Sequence, residues 1–287
     1  MIASDPTPPR QGAHPVAIAV APNGGRRTAA DHPAIPLTAA ATARTAAECL
    51  DAGASMIHVH VRDADGRHLL DADAYRAVTA AIRAEVGDRL VVQITTESLG
   101  IYGPAEQSAV LRAVRPEAAS LALRELAPDE GADVAFGALL GWMDREKVLP
   151  QIILYARSEA LRLKNMIARG VVPWRDVPVL YVLGRYTVGQ TSHPADLLPF
   201  LAPEMPRYTN WTVCAFGKAE AACVTAGALL GGHVRVGFEN NLFLPDGSVA
   251  PSNAALTATV STSVRALGLG VQDAAAVRSA QTVMMQG

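Results

Sequence analysis

Two histidines stand two residues apart in the run SMIHVHV (55–61), and far along the chain an arginine and a glutamate stand four apart in HVRVGFE (233–239). In an extended strand, side chains alternate between faces, so His58 and His60 share one face while Ile57, Val59 and Val61 take the other. By the same rule Arg235, Gly237 and Glu239 lie together, opposite Val234, Val236 and Phe238. Two imidazoles and a carboxylate can hold a divalent ion such as zinc and leave one coordination position open, the pattern that polarises a carbonyl or activates water. The alternative is that the histidines only hydrogen-bond inside a core and Glu239 pairs with Arg235. Two further apolar runs bring Gln93, Thr95 and Glu97 to one face, and Ser120, Ala122 and Arg124 to another. Their short hydroxyls suit the orientation of a substrate carboxylate or carbonyl.

For these groups to meet, the runs that carry them must be neighbours in one sheet. Eight strand-like runs are found, at 16–21, 55–61, 90–95, 119–124, 150–156, 177–184, 209–216 and 233–238. Each is followed by a helix-like stretch, at 38–52, 71–86, 104–114, 130–147, 158–169, 194–202, 217–230 and 252–268, with Thr38, Asp71 and Ser252 as start signals. Strands alternating with helices pair in parallel through right-handed crossovers. Eight such units predict a (β/α)8 barrel, the TIM barrel, with its chemistry at the C-terminal ends of the strands. A doubly wound open sheet is the runner-up. A dinucleotide site would need G-x-G-x-x-G after the first strand, and the chain has Pro22-Asn23-Gly24-Gly25 there. Ala17, Ala19 and Ala21 of the first run are small residues that fill a barrel.

The chain has 287 residues with 25 Lys and Arg against 27 Asp and Glu, a formal charge of -2 that gives no footprint for a polyanion. Nucleic acid is therefore not expected as a partner. No apolar run approaches the roughly 20 residues of a bilayer span, so no membrane association is expected either. Three cysteines, Cys49, Cys214 and Cys223, form no close pair, which suits a reducing compartment and makes the cytoplasm the expected location. Residues 1–15 read as a flexible, Pro-rich tail, and 16–287 as a single catalytic barrel domain.

The segments at 21–38 (APNGGRRTAADHPAIPLT), 52–67 (AGASMIHVHVRDADGR) and 231–254 (GGHVRVGFENNLFLPDGSVAPSNA) resemble the β-keto acid cleavage enzymes, including the 3-keto-5-aminohexanoate cleavage enzyme. The likeness runs from about Val16 to Arg278 and is loosest over 124–230. It implies a zinc-dependent (β/α)8 barrel that condenses acetyl-CoA with a β-keto acid and cleaves the adduct in a retro-Claisen sense, giving acetoacetate and a new CoA ester. On that pattern His58, His60 and Glu239 are the metal ligands, Arg235 and Thr95 are catalytic, and Ser120 contacts substrate. Asn23 and Arg26, in the loop after the first strand, are expected to bind substrate, and homo-oligomers are expected.

The departures from the pattern are as informative. Asn240 stands where the family has an aspartate suited to general base catalysis, and an amide cannot accept that proton. Glu97 stands where the family is glycine-rich, and is the candidate to replace it. Arg26 occupies the place of a glutamate used by the aminohexanoate-cleaving member. Phe216-Gly217-Lys218 takes the place of a Gly-Arg element that meets CoA, and the loop 184–189 is also changed. Arg26, Arg124 and Arg235 are expected to gather around an acidic substrate. Competing readings are a metal-dependent hydrolase, lyase or isomerase on the same barrel, and a non-catalytic protein that retains the metal.

Overall fold

The computed structural model describes residues 14–286. In chain order the strands are β1 (Ile18–Val20), β2 (Met56–Val59), β3 (Val61–Arg62), β4 (His68–Leu69), β5 (Val91–Thr95), β6 (Ala118–Ala122), β7 (Leu149–Leu154), β8 (Val179–Leu183), β9 (Trp211–Ala215) and β10 (His233–Val236). All except β3 and β4 form one closed parallel barrel, in the order β1, β2, β5, β6, β7, β8, β9, β10 and back to β1. This is the (β/α)8 barrel expected from the alternation of runs.

The helices are α1 (Ala39–Asp51), α2 (Ala72–Val86), α3 (Pro104–Val114), α4 (Leu123–Leu126), α5 (Asp133–Glu146), α6 (Arg157–Ala168), α7 (Leu198–Leu201), α8 (Glu220–Leu229), α9 (Asn253–Ala266) and α10 (Ala274–Gln286). The three expected start signals act as caps. Thr38 accepts from the Ala41 N–H at 3.2 Å, Asp71 from Ala74 at 2.8 Å and Ser252 from Ala255 at 3.2 Å. Each cap satisfies a backbone donor that the first helical turn leaves free.

Strand alternation decides what is inside. Ile57, Val59, Val92, Ile94, Val234 and Val236 point outward and join one large apolar cluster beneath the helices. Inward, the barrel floor is made of Ala17, Ala19, Met56, Val91 and Ala118, and Ala274 and Val277 of α10 close it from below. Register then places His58 beside Gln93, Thr95 beside Ser120, Ala122 beside Ile153 and Val182 beside Cys214.

Four local features differ from the sequence reading. The fourth strand ends at Ala122 and turns directly into α4, so Arg124 leaves the inward series; its guanidinium stacks over Tyr155 and Tyr186 and pairs with Glu159 at 2.6 Å. The sixth helical stretch is only a 3-10 turn (Pro194–Leu197) followed by α7. The hairpin β3–β4 is an addition, turned by Asp63, whose carboxylate accepts from the N–H groups of Asp65 and Arg67. Helix α10 was likewise outside the eight expected units.

Residues 1–13 of the expected tail lie outside the described residues. Its last two, His14 and Pro15, are described: His14 is beside His233 of β10, and the Pro15 carbonyl accepts from Gln272 at 3.0 Å. Among the described residues, no helix is long and apolar enough to cross a membrane.

Candidate active site

At the C-terminal mouth of the barrel, His58 of β2 and His60, the residue after its end, bring their Nε2 atoms to within 3.2 Å of each other. Glu239, three residues beyond β10, brings Oε2 to 3.6 Å from His58 and 3.3 Å from His60. That oxygen is buried and has no hydrogen-bond partner. Burial and the nearby Arg235 push the His58 pKa down to about 3, so its imidazole is neutral. Burial opposes ionisation of Glu239, but the adjacent Arg235 guanidinium outweighs it and holds the carboxyl well below its usual range. A neutral His58 imidazole and an ionised, unpartnered carboxylate are protonation states that suit a divalent metal, and His60 adds a second imidazole nitrogen, so the donor set fits one.

A chain of amides sets the orientation of His58. The Gln93 amide N–H donates to Gln151 at 3.2 Å, and Gln151 in turn donates to the Thr212 hydroxyl at 3.2 Å. The Gln93 carbonyl oxygen is thereby left to accept from His58 Nδ1–H, at 2.8 Å. With the proton on Nδ1, the Nε2 lone pair faces His60 Nε2 and Glu239, free to serve as a metal donor.

His60 is held through its backbone. Asn23 accepts from the His60 N–H at 3.3 Å and donates to the His60 carbonyl at 2.9 Å and to the Pro36 carbonyl at 3.0 Å. The loop that carries Asn23 is tied down by buried Arg62, which donates to the carbonyls of Asn23, Gly24 and Arg27.

Glu239 depends on a turn that only glycine completes. Gly237 has φ +132, and a Cβ there would lie 2.4 Å from the Ala21 carbonyl oxygen. Gly24 must also lack a side chain, since a Cβ would lie 2.7 Å from Glu239 Cγ. Beneath the turn, the fully buried Glu220 accepts from the Gly237 N–H at 3.1 Å and from Asn241 Nδ2 at 3.3 Å. Desolvation raises its pKa to about 8.

The family model of the β-keto acid cleavage enzymes matches residues 15–281. The chain belongs to this family. It is 29% identical over 258 residues to the 3-keto-5-aminohexanoate cleavage enzyme of Fusobacterium nucleatum, covering 85% of this chain and 89% of that one. It is 26% identical over 279 residues to the 3-oxoadipate:acetyl-CoA acetyltransferase of Cupriavidus necator, covering 92% and 94%. Among solved structures, a binary complex of ObcA with oxaloacetate superposes with a TM-score of 0.66 at 16% identity, covering 87% of this chain and 67% of the other, a likeness of fold.

For a β-keto acid cleavage enzyme the surroundings of the triad are notable for donors without partners. Arg235 gives one nitrogen, Nη2, to Glu239 Oε1 at 3.1 Å, while its Nε and Nη1 are buried and unpaired. The Ser120 hydroxyl is buried and unpaired too. Both residues line a cavity of about 390 Å³ together with His58, His60, Glu239, Thr95 and Glu97.

Thr95 accepts from the Glu97 N–H at 2.9 Å, and His68 of the β3–β4 hairpin lies 2.7 Å from the Glu97 carbonyl oxygen. Burial and the neighbouring His60 lower the His68 pKa to about 4, so His68 holds that carbonyl as a neutral donor. The Glu97 carboxylate lies 3.8 Å from His60 Nδ1 and 3.5 Å from Arg185.

The remaining site residues are dispersed. Asn23 spends its amide on His60. Arg26 is exposed and lines an adjoining cavity of about 380 Å³ with Arg27, Arg185 and Gln190. Asn240 is fully buried, its amide has no partner, and it is not among the residues lining either cavity. The three arginines expected to gather do not do so: Arg235 is paired with Glu239, Arg124 with Glu159, and Arg26 lies in the second cavity. Of the Phe216-Gly217-Lys218 element, the Gly217 N–H is already donated to the Asn240 carbonyl at 3.1 Å, and exposed Lys218 sits over the Phe243 ring.

Sequence reasoning passed over Gln151, Thr212, Arg62, His68 and Glu220. Gln151 and Thr212 carried a usable signal, since each is an inward polar residue in an otherwise apolar strand. Glu220 carried none, because a glutamate in the first turn of a helix is ordinary.

Proposed function

We infer that this protein is a zinc-dependent enzyme that cleaves a β-keto acid at the expense of acetyl-CoA, yielding acetoacetate and the CoA ester of the remaining acyl group. The observation that carries the reading is the pair of unpartnered Arg235 nitrogens and the unpartnered Ser120 hydroxyl, buried beside the His58, His60 and Glu239 triad in one cavity. Such donors await an anionic, oxygen-rich ligand, and a β-keto acid presents a carboxylate and a ketone at the required closeness. A bound zinc ion would supply Lewis acid polarisation of the ketone.

The protein's own residues do the rest. Arg235 and Ser120 bind the keto acid head and steady the oxyanion that develops. Among the described residues, the cavity's carboxylates are Glu239 and Glu97, and Glu239 is committed to the metal. Glu97 therefore takes the proton from C2 of the keto acid. The C2 electron pair forms a bond to the acetyl carbon of acetyl-CoA, and the CoA thiolate leaves. The thiolate then adds to the C3 carbonyl, the C2–C3 bond breaks toward C2, and the proton returns from Glu97 to C2. Acetoacetate and acyl-CoA balance the atoms. Thr95 serves by fixing the Glu97 backbone. The adjoining cavity with Arg26 and Arg27 supports an anionic co-substrate approaching from that side.

Cysteines kept buried and unpaired support a cytoplasmic location. Three exposed leucines, Leu198 of α7 and Leu229 and Leu230 at the end of α8, on helices that both pack against the 3-10 turn Pro194–Leu197, support a homo-oligomer.

The test is direct. Protein loaded with zinc is incubated with a panel of β-keto acids, with and without acetyl-CoA, and acetoacetate is measured. The reading requires acetoacetate only when both substrates are present; turnover without CoA overturns it in favour of hydrolase, lyase or isomerase chemistry.

A further inference from the structure

We propose that the acyl tail of the β-keto acid is short, uncharged and apolar. This rests on the preceding reading for the head of the substrate, and on a separate observation for the tail. The cavity has two unlike walls. One is the metal triad with Arg235, Thr95 and Glu97; the other is Ala122 of β6, Ile153 of β7 and Val182 of β8, continued by Tyr155 and Phe216. These five side chains belong to one apolar cluster with Cys214 behind them. Burial pushes the Cys214 thiol up to about 11, so it too stays neutral.

The charges that border this wall are already matched. Arg124 pairs with Glu159 at 2.6 Å and lies over the rings of Tyr155 and Tyr186 at 4.4 and 4.6 Å. Arg185 pairs with Glu97 and lies 5.1 Å from the centre of the Phe216 ring. A carboxylate or ammonium on the tail would lose its water here and gain no partner, whereas a methylene loses nothing. The head must take the polar wall, since the unpartnered nitrogens of Arg235 and the Ser120 hydroxyl are there. The one cavity must hold the head against Arg235 and Ser120 as well as the tail against Ala122, Ile153 and Val182, so the tail is short. The two named relatives act on substrates whose tails carry an amino group or a second carboxylate. Neither group has a counterpart on this wall.

The experiment compares 3-oxopentanoate and 3-oxohexanoate with 3-oxoadipate and 5-amino-3-oxohexanoate, each with acetyl-CoA and the zinc-loaded enzyme. The expected result is a kcat/KM at least about 100-fold higher for the alkyl substrates. A charged-tail substrate turned over equally well or better places the tail elsewhere, against Arg26 for a dicarboxylate, and overturns the proposal while leaving the reaction intact. Val182→Thr keeps the side-chain shape and adds a hydroxyl. It should lower kcat/KM for the alkyl substrates several-fold while zinc content and Tm stay unchanged, and an unaltered kcat/KM counts against this wall. If no keto acid gives acetoacetate, the reaction has been misread, and calorimetric binding of the same four compounds decides the tail. Equal or tighter binding of a charged tail then overturns the proposal.

Discussion

Across the barrel mouth, the strands that carry His58, His60, Thr95 and Arg235 face the strands that carry Ala122, Ile153 and Val182. Both halves obey the same alternation, and both are buried. On the apolar half, packing alone determines where each side chain sits. On the polar half, every group must also be satisfied, and a second layer does this: Gln93, Gln151 and Thr212 behind His58, Asn23 and Arg62 behind His60, Glu220 beneath the Glu239 turn. Glu239 Oε2, the Arg235 nitrogens and, from β6, the Ser120 hydroxyl are left unsatisfied and line the cavity, and these are assigned to metal and substrate; the Asn240 amide and His68 Nδ1 also lack partners, but neither residue lines that cavity. A barrel mouth thus marks its reactive groups by atoms that both lack partners and line the cavity.

The largest effects should come from the polar half. His58→Ala or Glu239→Gln removes a metal donor, and zinc measured on the purified variants should fall from one per chain to near none, with acetoacetate formation lost. Zinc content unchanged in both would break the assignment. Glu97→Gln is the next test. It should lower kcat by about 10²–10⁴, the usual worth of a general base, with little change in KM or zinc content. Asn240→Asp alone should leave the rate near its starting value, because that side chain does not line the cavity. Recovery of activity in the double variant Glu97→Gln with Asn240→Asp would instead make position 240 the base.

A matched pair then sharpens the contrast between halves. Gln93→Leu strands His58 Nδ1–H and the Gln151 oxygen, and should weaken zinc binding by about 10–100-fold, as loss of outer partners does. Leu180→Ala, in the fully buried apolar layer, should cost about 2–5 kcal/mol of stability by denaturant titration and leave zinc affinity unchanged. If Leu180→Ala also loosened the metal, the halves would be mechanically coupled and the division false.

How much of this was legible in the sequence follows from the same division. Alternation by two placed His58, His60, Arg235 and Glu239 on the inner face, and the eight strand and helix runs implied the barrel that brings them together. Alternation could not say where a strand stops: Arg124 continues the pattern in sequence, yet the chain turns into α4 after Ala122 and the guanidinium finds Glu159. Nor could it show that Asn23 serves His60 rather than a ligand. That requires knowing that two loops meet, a fact of tertiary packing. Helix α10 was missed because eight units already closed the barrel, and nothing in strand periodicity demands a plug for its floor.

The smallest effect, and the one that probes the support layer most gently, is the pH dependence set by Glu220. Burial raises its pKa from the ordinary carboxylate value to about 8 in the folded protein. The folded state therefore binds more protons than the unfolded state between about pH 4.5 and 8, and stability must decline as pH rises through that window. Below the window the carboxyl is protonated in both states, and above it ionised in both, so no further slope comes from this residue. Glu220→Gln removes the titration and should flatten the decline in Tm across that range, since the neutral amide can still accept from Gly237 N–H. Zinc affinity of this variant should stay within a few-fold of the parent. A slope that persists unchanged in Glu220→Gln would assign the pH sensitivity to another buried group and detach Glu220 from the stability of the turn that presents Glu239.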